Sequence, residues 1–293
     1  MIDIHSHLAY YKIYSASYLR GMIQNPETTT PRLQGFLNAF LGDKDGHRHL
    51  MQMDTAGIDR SVLLIIDSSI GMEPPELDIE DIYRLHSAVQ KKHPDRFIVF
   101  AGVDPRRKNC YELFVKGIEF YGFRGLKLYP PMGFAMDHPS LENIYEYCQR
   151  HRLPVLIHTG DSLDILDKNF SKVKNAIRVA ERYPGIPFIL AHAGYQLKEP
   201  GMSELLGYPN VYFDIAGIQV LLGQKDPVAF DHLDKETLIQ FSRKMVFGTD
   251  WPLFNLMTPI SEHIIHIECL LKKNGLSEEQ VKNVFHSDHL IYK

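Results

Sequence analysis

The chain is short of the features that mark secreted, membrane-bound or nucleic-acid-binding proteins. Its 293 residues contain three cysteines and one tryptophan. Cys110, Cys148 and Cys269 stand far apart with no C-x-x-C spacing, so no disulfide framework is expected and a reducing compartment fits. No run of about 18 apolar residues is present to cross a bilayer, and the apolar start is too short and too acidic for a secretory leader. A cytoplasmic location is the expectation. Charge of one sign is also lacking: 32 Lys and Arg against 36 Asp and Glu leave a net charge of −4, scattered rather than banded. That excludes the basic footprint of a DNA or RNA binder. Linkers, repeats and long charge runs are missing as well, so residues 1–293 read as one domain with no nucleic-acid or membrane partner. A homo-oligomer is left open. A hydrophobic share of 44% is ample for a single large core.

What is present is a series of short apolar runs alternating with helical stretches. After Ile2-Asp3-Ile4 the runs are 61–66, 97–103, 123–129, 154–158, 187–192, 211–215 and 245–249. They are continuous rather than alternating in polarity, as strands covered on both faces are. Helices are expected over 46–56, with Gly57 as the terminating glycine, and over 79–92, 110–121, 141–151 and 171–183. Eight strands interleaved with helices predict a closed (β/α)8 TIM barrel of the α/β class, with an inserted helical and loop segment between about Leu8 and Ile58. The open dinucleotide-binding alternative lacks its G-x-G-x-x-G turn, because the first strand runs into His5-Ser6-His7.

Chemistry in such barrels sits at the carboxyl ends of the strands. There the sequence places His5 and His7, then Lys127, His158, His192 and Asp250. Alternate residues of a strand share a face about 6.5 to 7 Å apart, so His5 and His7 can reach one ion together. Taken singly, each histidine is as easily a packing residue, and Asp250 is as easily a helix N-cap. Six polar side chains in register at strand ends are a constellation. The other eleven histidines, His86, His93, His151, His263 and His266 among them, read as packing or solvated groups.

The motifs Ile2-Asp3-Ile4-His5-Ser6-His7, Gly125-Leu126-Lys127-Leu128-Tyr129-Pro130, Ile157-His158-Thr159-Gly160, Ala191-His192-Ala193-Gly194 and Phe247-Gly248-Thr249-Asp250-Trp251-Pro252 span nearly the whole chain. In them the sequence resembles the metal-dependent amidohydrolase superfamily, within it the amidohydrolase-2 group that contains the aminocarboxymuconate-semialdehyde and resorcylate decarboxylases. The resemblance implies one divalent ion, usually Zn2+, held by His5, His7, His158 and Asp250, with His192 beside the metal-bound water. Near the C-terminus the chain departs from the group, reading His286-Ser287-Asp288-His289 where an Asn-Ala pair is common.

Such a donor set suits Zn2+ and tolerates Mn2+, Fe2+ or Co2+. The expected activity is hydrolysis of a small amide, ester or lactone by metal-activated water, with Asp250 touching the ion and accepting a proton and His192 orienting the water or stabilising the developing oxyanion. The alternative is metal-dependent, non-oxidative decarboxylation of a small aromatic or unsaturated carboxylic acid, which these motifs do not separate from hydrolysis. A metal-binding protein without turnover is a third reading. Lys127 is read as a binder of substrate carboxylate, against a carboxylated lysine bridging two metals. Tyr10, with Tyr11 and Tyr14, is expected to wall the substrate pocket. Asp3 is read as lying on the face of His5, either supporting the ligands or buried deeper in the barrel, and Arg124 as facing the helix layer.

Overall fold

The computed structural model describes residues 1–23, 35, 38–192, 201–218, 233–256 and 258–291. Eight parallel strands follow one another around a single sheet in chain order: β1 (Ile2–Ser6), β2 (Arg60–Leu64), β3 (Phe97–Gly102), β4 (Leu126–Leu128), β5 (Val155–His158), β6 (Phe188–Ala191), β7 (Val211–Asp214) and β8 (Met245–Val246). The sheet closes beyond β8. The Ile4 amide donates to the Phe247 carbonyl at 2.9 Å, the His7 amide to that of Trp251 at 2.8 Å, and the Asp250 amide to that of His5 at 2.8 Å. This is the (β/α)8 barrel the apolar runs imply.

The helices described are α1 (Ala16–Ile23), α2 (His47–Ala56), α3 (Ile79–Lys92), α4 (Cys110–Glu119), α5 (Glu142–His151), α6 (Ile177–Arg182), α7 (Met202–Leu205), α8 (Lys235–Ser242), α9 (Ile260–Lys273) and α10 (Glu278–Val284). Their ends follow local chemistry. The Asp78 carboxylate accepts the Asp81 amide at 2.8 Å to start α3, which carries Glu80 and Asp81 in its first turn and Lys91 and Lys92 in its last, each matched to the helix dipole. Gly57 ends α2 at φ 68°, a conformation that costs a glycine little. Ser277 and Gln280 form a reciprocal capping box on α10. None of the described helices is long and apolar enough to cross a membrane.

Two apolar clusters divide the core. One takes strand residues including Ile2, Ile4, Val62, Ile98, Leu156, Ile189 and Val246, with Leu290 its only fully buried member outside the strands, and fills the barrel interior. The other packs the opposite strand faces, such as Leu63, Val99, Ile157 and Phe213, against helix residues such as Phe114, Tyr145 and Phe241. Strands buried on both sides explain the continuous apolar runs.

Three expectations need correcting. The helix expected over 171–183 is α6 preceded by two 3-10 turns, Lys168–Ser171 and Val173–Ala176, because Lys172 between them is extended at φ −61°, ψ 132°. The last strand stops at Val246 rather than Thr249, since the chain from Phe247 onward turns across to β1. Asp3 does not follow regular alternation with His5: the register of β1 on β2 shifts between Asp3 and Ser6. Its carboxylate instead accepts from the Thr249 amide at 3.0 Å, the Thr249 hydroxyl at 2.7 Å and the Ser61 hydroxyl at 3.1 Å, which ties down the turn that presents Asp250. Arg124 is exposed.

Candidate metal centre

His5, His7 and Asp250, from β1 and the turn after β8, bring one ligand atom each to within 4.8 Å of one another, the only such group among the described residues. The Asp250 Oδ1 atom lies 3.4 Å from His5 Nε2 and 3.3 Å from His7 Nε2. The protons of both rings are engaged on the other side. His7 Nδ1 donates to the Leu64 carbonyl at 2.8 Å, and His5 Nδ1 donates to the Asp214 carboxylate. A carbonyl only accepts, so His7 carries its proton on Nδ1 and turns a bare lone pair toward Asp250. Two nitrogen lone pairs and a carboxylate oxygen facing one another repel unless a cation lies among them. The residues therefore fit a divalent ion, with the outer hydrogen bonds that metal-binding histidines use to fix ring and tautomer.

The electrostatics agree. Burial, reinforced by the Lys127 charge, holds the His5 imidazole well below its usual range and so neutral, as a ligand must be. Burial works against the Asp250 carboxylate, and only positive charge at His5, His7 and His192 brings it well below the usual carboxylate range; with those rings neutral, that charge falls to an ion. Burial pushes the carboxyls of Asp3 and Asp214 up to about 7; a cation beside His5 is the charge this buried acidic layer lacks.

His158 and His192 flank the group, their ring centroids 4.9 Å apart, with His192 also 4.9 Å from His5. His192 Nδ1 donates to the Ala216 carbonyl at 3.0 Å, leaving its Nε2 for other partners. His158 Nε2 donates to the Asp161 carbonyl at 3.0 Å, and its ring stands 4.4 Å from that of Tyr129. In this arrangement His158 is outside the ligand group, with Nε2 held by the Asp161 carbonyl and Nδ1 left as its nitrogen for an ion. His192 and Asp250 both have positive φ, 60° and 51°, a conformation uncommon away from glycine that tends to cluster at functional sites.

Residues 2–287 match the profile of the amidohydrolase family, Amidohydro_2. The chain belongs to the amidohydrolases. No curated protein matches this amidohydrolase. Among solved structures, it is similar to a 2,6-dihydroxybenzoate decarboxylase complexed with 2,6-dihydroxybenzoate, at 16% identity and a TM-score of 0.64, with 100% of this chain and 99% of that one covered. A dihydroxybenzoic acid decarboxylase from Polaromonas sp. JS666, with bound manganese and the inhibitor 2-nitroresorcinol, is 17% identical at a TM-score of 0.62, with 99% and 96% covered. A 4-oxalomesaconate hydratase from Rhodopseudomonas palustris is 16% identical at a TM-score of 0.61, with 99% and 95% covered. At these identities the likeness carries the fold.

Above the metal group this amidohydrolase has a cavity of about 480 Å³ that includes His5, His7, Lys127, His158, His192 and Asp250 in its lining. All six strand-end residues singled out in the sequence thus converge on one space. Lys127 lies in its floor at 1% exposure, and its ammonium has no hydrogen-bond partner among the described residues. The segment after β1 does wall the cavity, through Tyr14, Tyr18, Met22, Phe40 and Leu41. Tyr10 does not line it. The short turn there pairs Tyr10 with Gly42 in an antiparallel bridge and directs the wall-forming role to Tyr14 and Tyr18. The part of that segment at 24–34 and 36–37 lies outside the described residues.

Sequence reasoning missed Asp214. It is fully buried, accepts from His5 Nδ1 through one oxygen, and accepts from the Ala216 amide at 2.6 Å through the other. Gly248 makes room for it: a Cβ there would lie 2.5 Å from Asp214 Oδ1 and 2.8 Å from the His5 Cβ. The available signal was position, an acid ending an apolar strand in register, through Ala191, with His158 of β5.

Proposed function

We propose that the protein is a metal-dependent, non-oxidative decarboxylase of a carboxylic acid with an aromatic or unsaturated body, in place of the hydrolase that the motifs alone put first. The observation that carries this reading is Lys127, a buried ammonium without a hydrogen-bond partner among the described residues, in the floor of an aromatic-walled cavity. A buried cation needs a partner, and Asp250, whose charge favours the ammonium, directs its Oδ1 atom at His5 and His7 instead. A substrate carboxylate answers that charge; a neutral amide or lactone does not. Two of the three similar structures described above are decarboxylases, which supports the same choice.

His5, His7 and Asp250 would hold the ion, with His158 able to join through Nδ1 while its Nε2 stays on the Asp161 carbonyl. When bound, the ion supplies Lewis-acid stabilisation of the charge that develops on the substrate. Imidazole nitrogen with carboxylate oxygen suits Zn2+ and Mn2+ alike. Lys127 binds the carboxylate, while Tyr14, Tyr18 and Tyr129 flank the body of the substrate and exclude water. As the C–C bond breaks, its electron pair stays on the substrate carbon, which takes up one proton. His192, its Nδ1 held by Ala216, has its Nε2 edge left to relay that proton, and Asp250, kept as an anion, orients the approach from the metal side.

The test is a panel of aromatic and unsaturated carboxylates, small amides, esters and lactones, assayed in parallel for CO2 and for released acid, alcohol or amine. One CO2 per substrate consumed is expected from an acid of the panel. Release of acid, alcohol or amine without CO2 would return the protein to the hydrolases.

A further inference from the structure

The charges around the cavity are unevenly placed. Among the described lining residues Lys127 is the only Lys or Arg, and it sits in the floor. The outer wall is formed by Met22, Phe40, Leu163, Leu253 and Phe254, which come from α1, the segment before α2, and the loops after β5 and β8. Phe40 and Leu253 are each 39% exposed at the mouth. The one carboxylate of the rim, Asp161, is paired with Lys168 at 2.7 Å, so the rim offers no unpaired cation from these groups. Size points the same way. A cavity of about 150 Å³ suffices for benzene, and this one is about 480 Å³, in the range that takes drug-sized ligands.

We infer that the substrate is a monocarboxylate with an extended apolar body: one anionic group on Lys127 at the floor, and an aryl or alkyl portion larger than a single ring running out between Leu163, Leu253 and Phe254. A second carboxylate at the far end would be desolvated against apolar side chains, with no Lys or Arg among the described lining residues there to meet it. This inference rests on the placement of a carboxylate at Lys127 made above.

The test measures binding rather than turnover. The Mn2+-loaded enzyme is titrated calorimetrically with benzoate, biphenyl-4-carboxylate and biphenyl-4,4′-dicarboxylate. The biphenyl monoacid is expected to bind at least tenfold more tightly than benzoate, and the diacid at least tenfold more weakly than the monoacid. Leu163→Lys, which places a cation in the outer wall, is expected to recover the diacid; Leu253→Lys at the exposed mouth serves if the first variant loses its cooperative melt. A biphenyl monoacid no tighter than benzoate, or a diacid that binds as well as the monoacid to the unmodified enzyme, overturns the inference. The two readings fail separately. The expected binding order without CO2 from any acid would sink the decarboxylase and leave the division of the cavity standing. CO2 from single-ring acids, with the biphenyl monoacid excluded, would do the reverse.

Discussion

Replacing Lys127 by methionine should make the metal-free protein more stable while it abolishes turnover. The lysine side chain is wholly buried, and burial brings its pKa down from 10.5 to about 8, against the opposing pull of Asp250 and Asp214. At about 1.4 kcal/mol per pH unit, that displacement means the folded chain disfavours the ammonium by roughly 3 kcal/mol. The sign follows from proton counting. Between pH 8 and 10.5 the unfolded chain binds the proton that the folded chain has lost, so stability rises with pH through that window. Below about 8 the penalty applies in full. Methionine fills a similar volume without the charge. Some packing loss is expected, so we anticipate a net gain of about 1–3 kcal/mol at pH 7, a rise in melting temperature of several degrees for a domain of this size. Urea unfolding of both proteins after chelator treatment, at pH 7 and at pH 9.5, measures it: the difference should be large at the lower pH and shrink at the higher. A variant less stable than its parent at pH 7, or a difference that does not change with pH, would refute the claim that Lys127 is an uncompensated charge held for a ligand.

Asp250→Asn should retain most of its metal, since an amide oxygen still faces His5 and His7, but lose about 10² to 10⁴-fold in kcat, read from steady-state rates beside elemental analysis. Asp214→Asn removes the charge behind His5 and should weaken metal binding about 10 to 100-fold in chelator competition, with the apo fold intact by circular dichroism. Gly248→Ala should do the same for a steric reason, as its Cβ would press Asp214 and His5 apart. Stripping the metal should abolish turnover, and readding Mn2+ or Zn2+ should raise the melting temperature, by an amount equivalent to about 4 kcal/mol at a thousandfold excess over Kd; no shift with either ion would remove the centre.

The barrel was legible because burial on both faces leaves its mark in every strand, and a helix boundary was legible where a cap is written locally, as at Gly57. Boundaries set by tertiary pairing were not. Nothing local in Phe247-Gly248-Thr249 says that these residues leave β8 to bond Ile4 and His5. The same holds at the site. His5, His7, His158, His192, Lys127 and Asp250 could be found because strand ends share one rim, whereas the choice of Tyr14 and Tyr18 over Tyr10 depended on where a short turn bends. Asp214 stayed hidden because its meaning lies in a partner 209 residues away.

The end of β7 grips two imidazoles at once, His5 through the Asp214 carboxylate and His192 through the Ala216 carbonyl, and the two grips are joined by the Ala216 amide on Asp214. The proposed metal ligand and the proposed proton relay therefore share one mounting, and damage to it should be strongly non-additive: once Asp214 is gone, a further change at His192 should cost less than it does alone. For anyone redesigning the substrate range, the apolar outer wall is editable loop by loop, while the three residues from Asp214 to Ala216 are a chassis to be left as found.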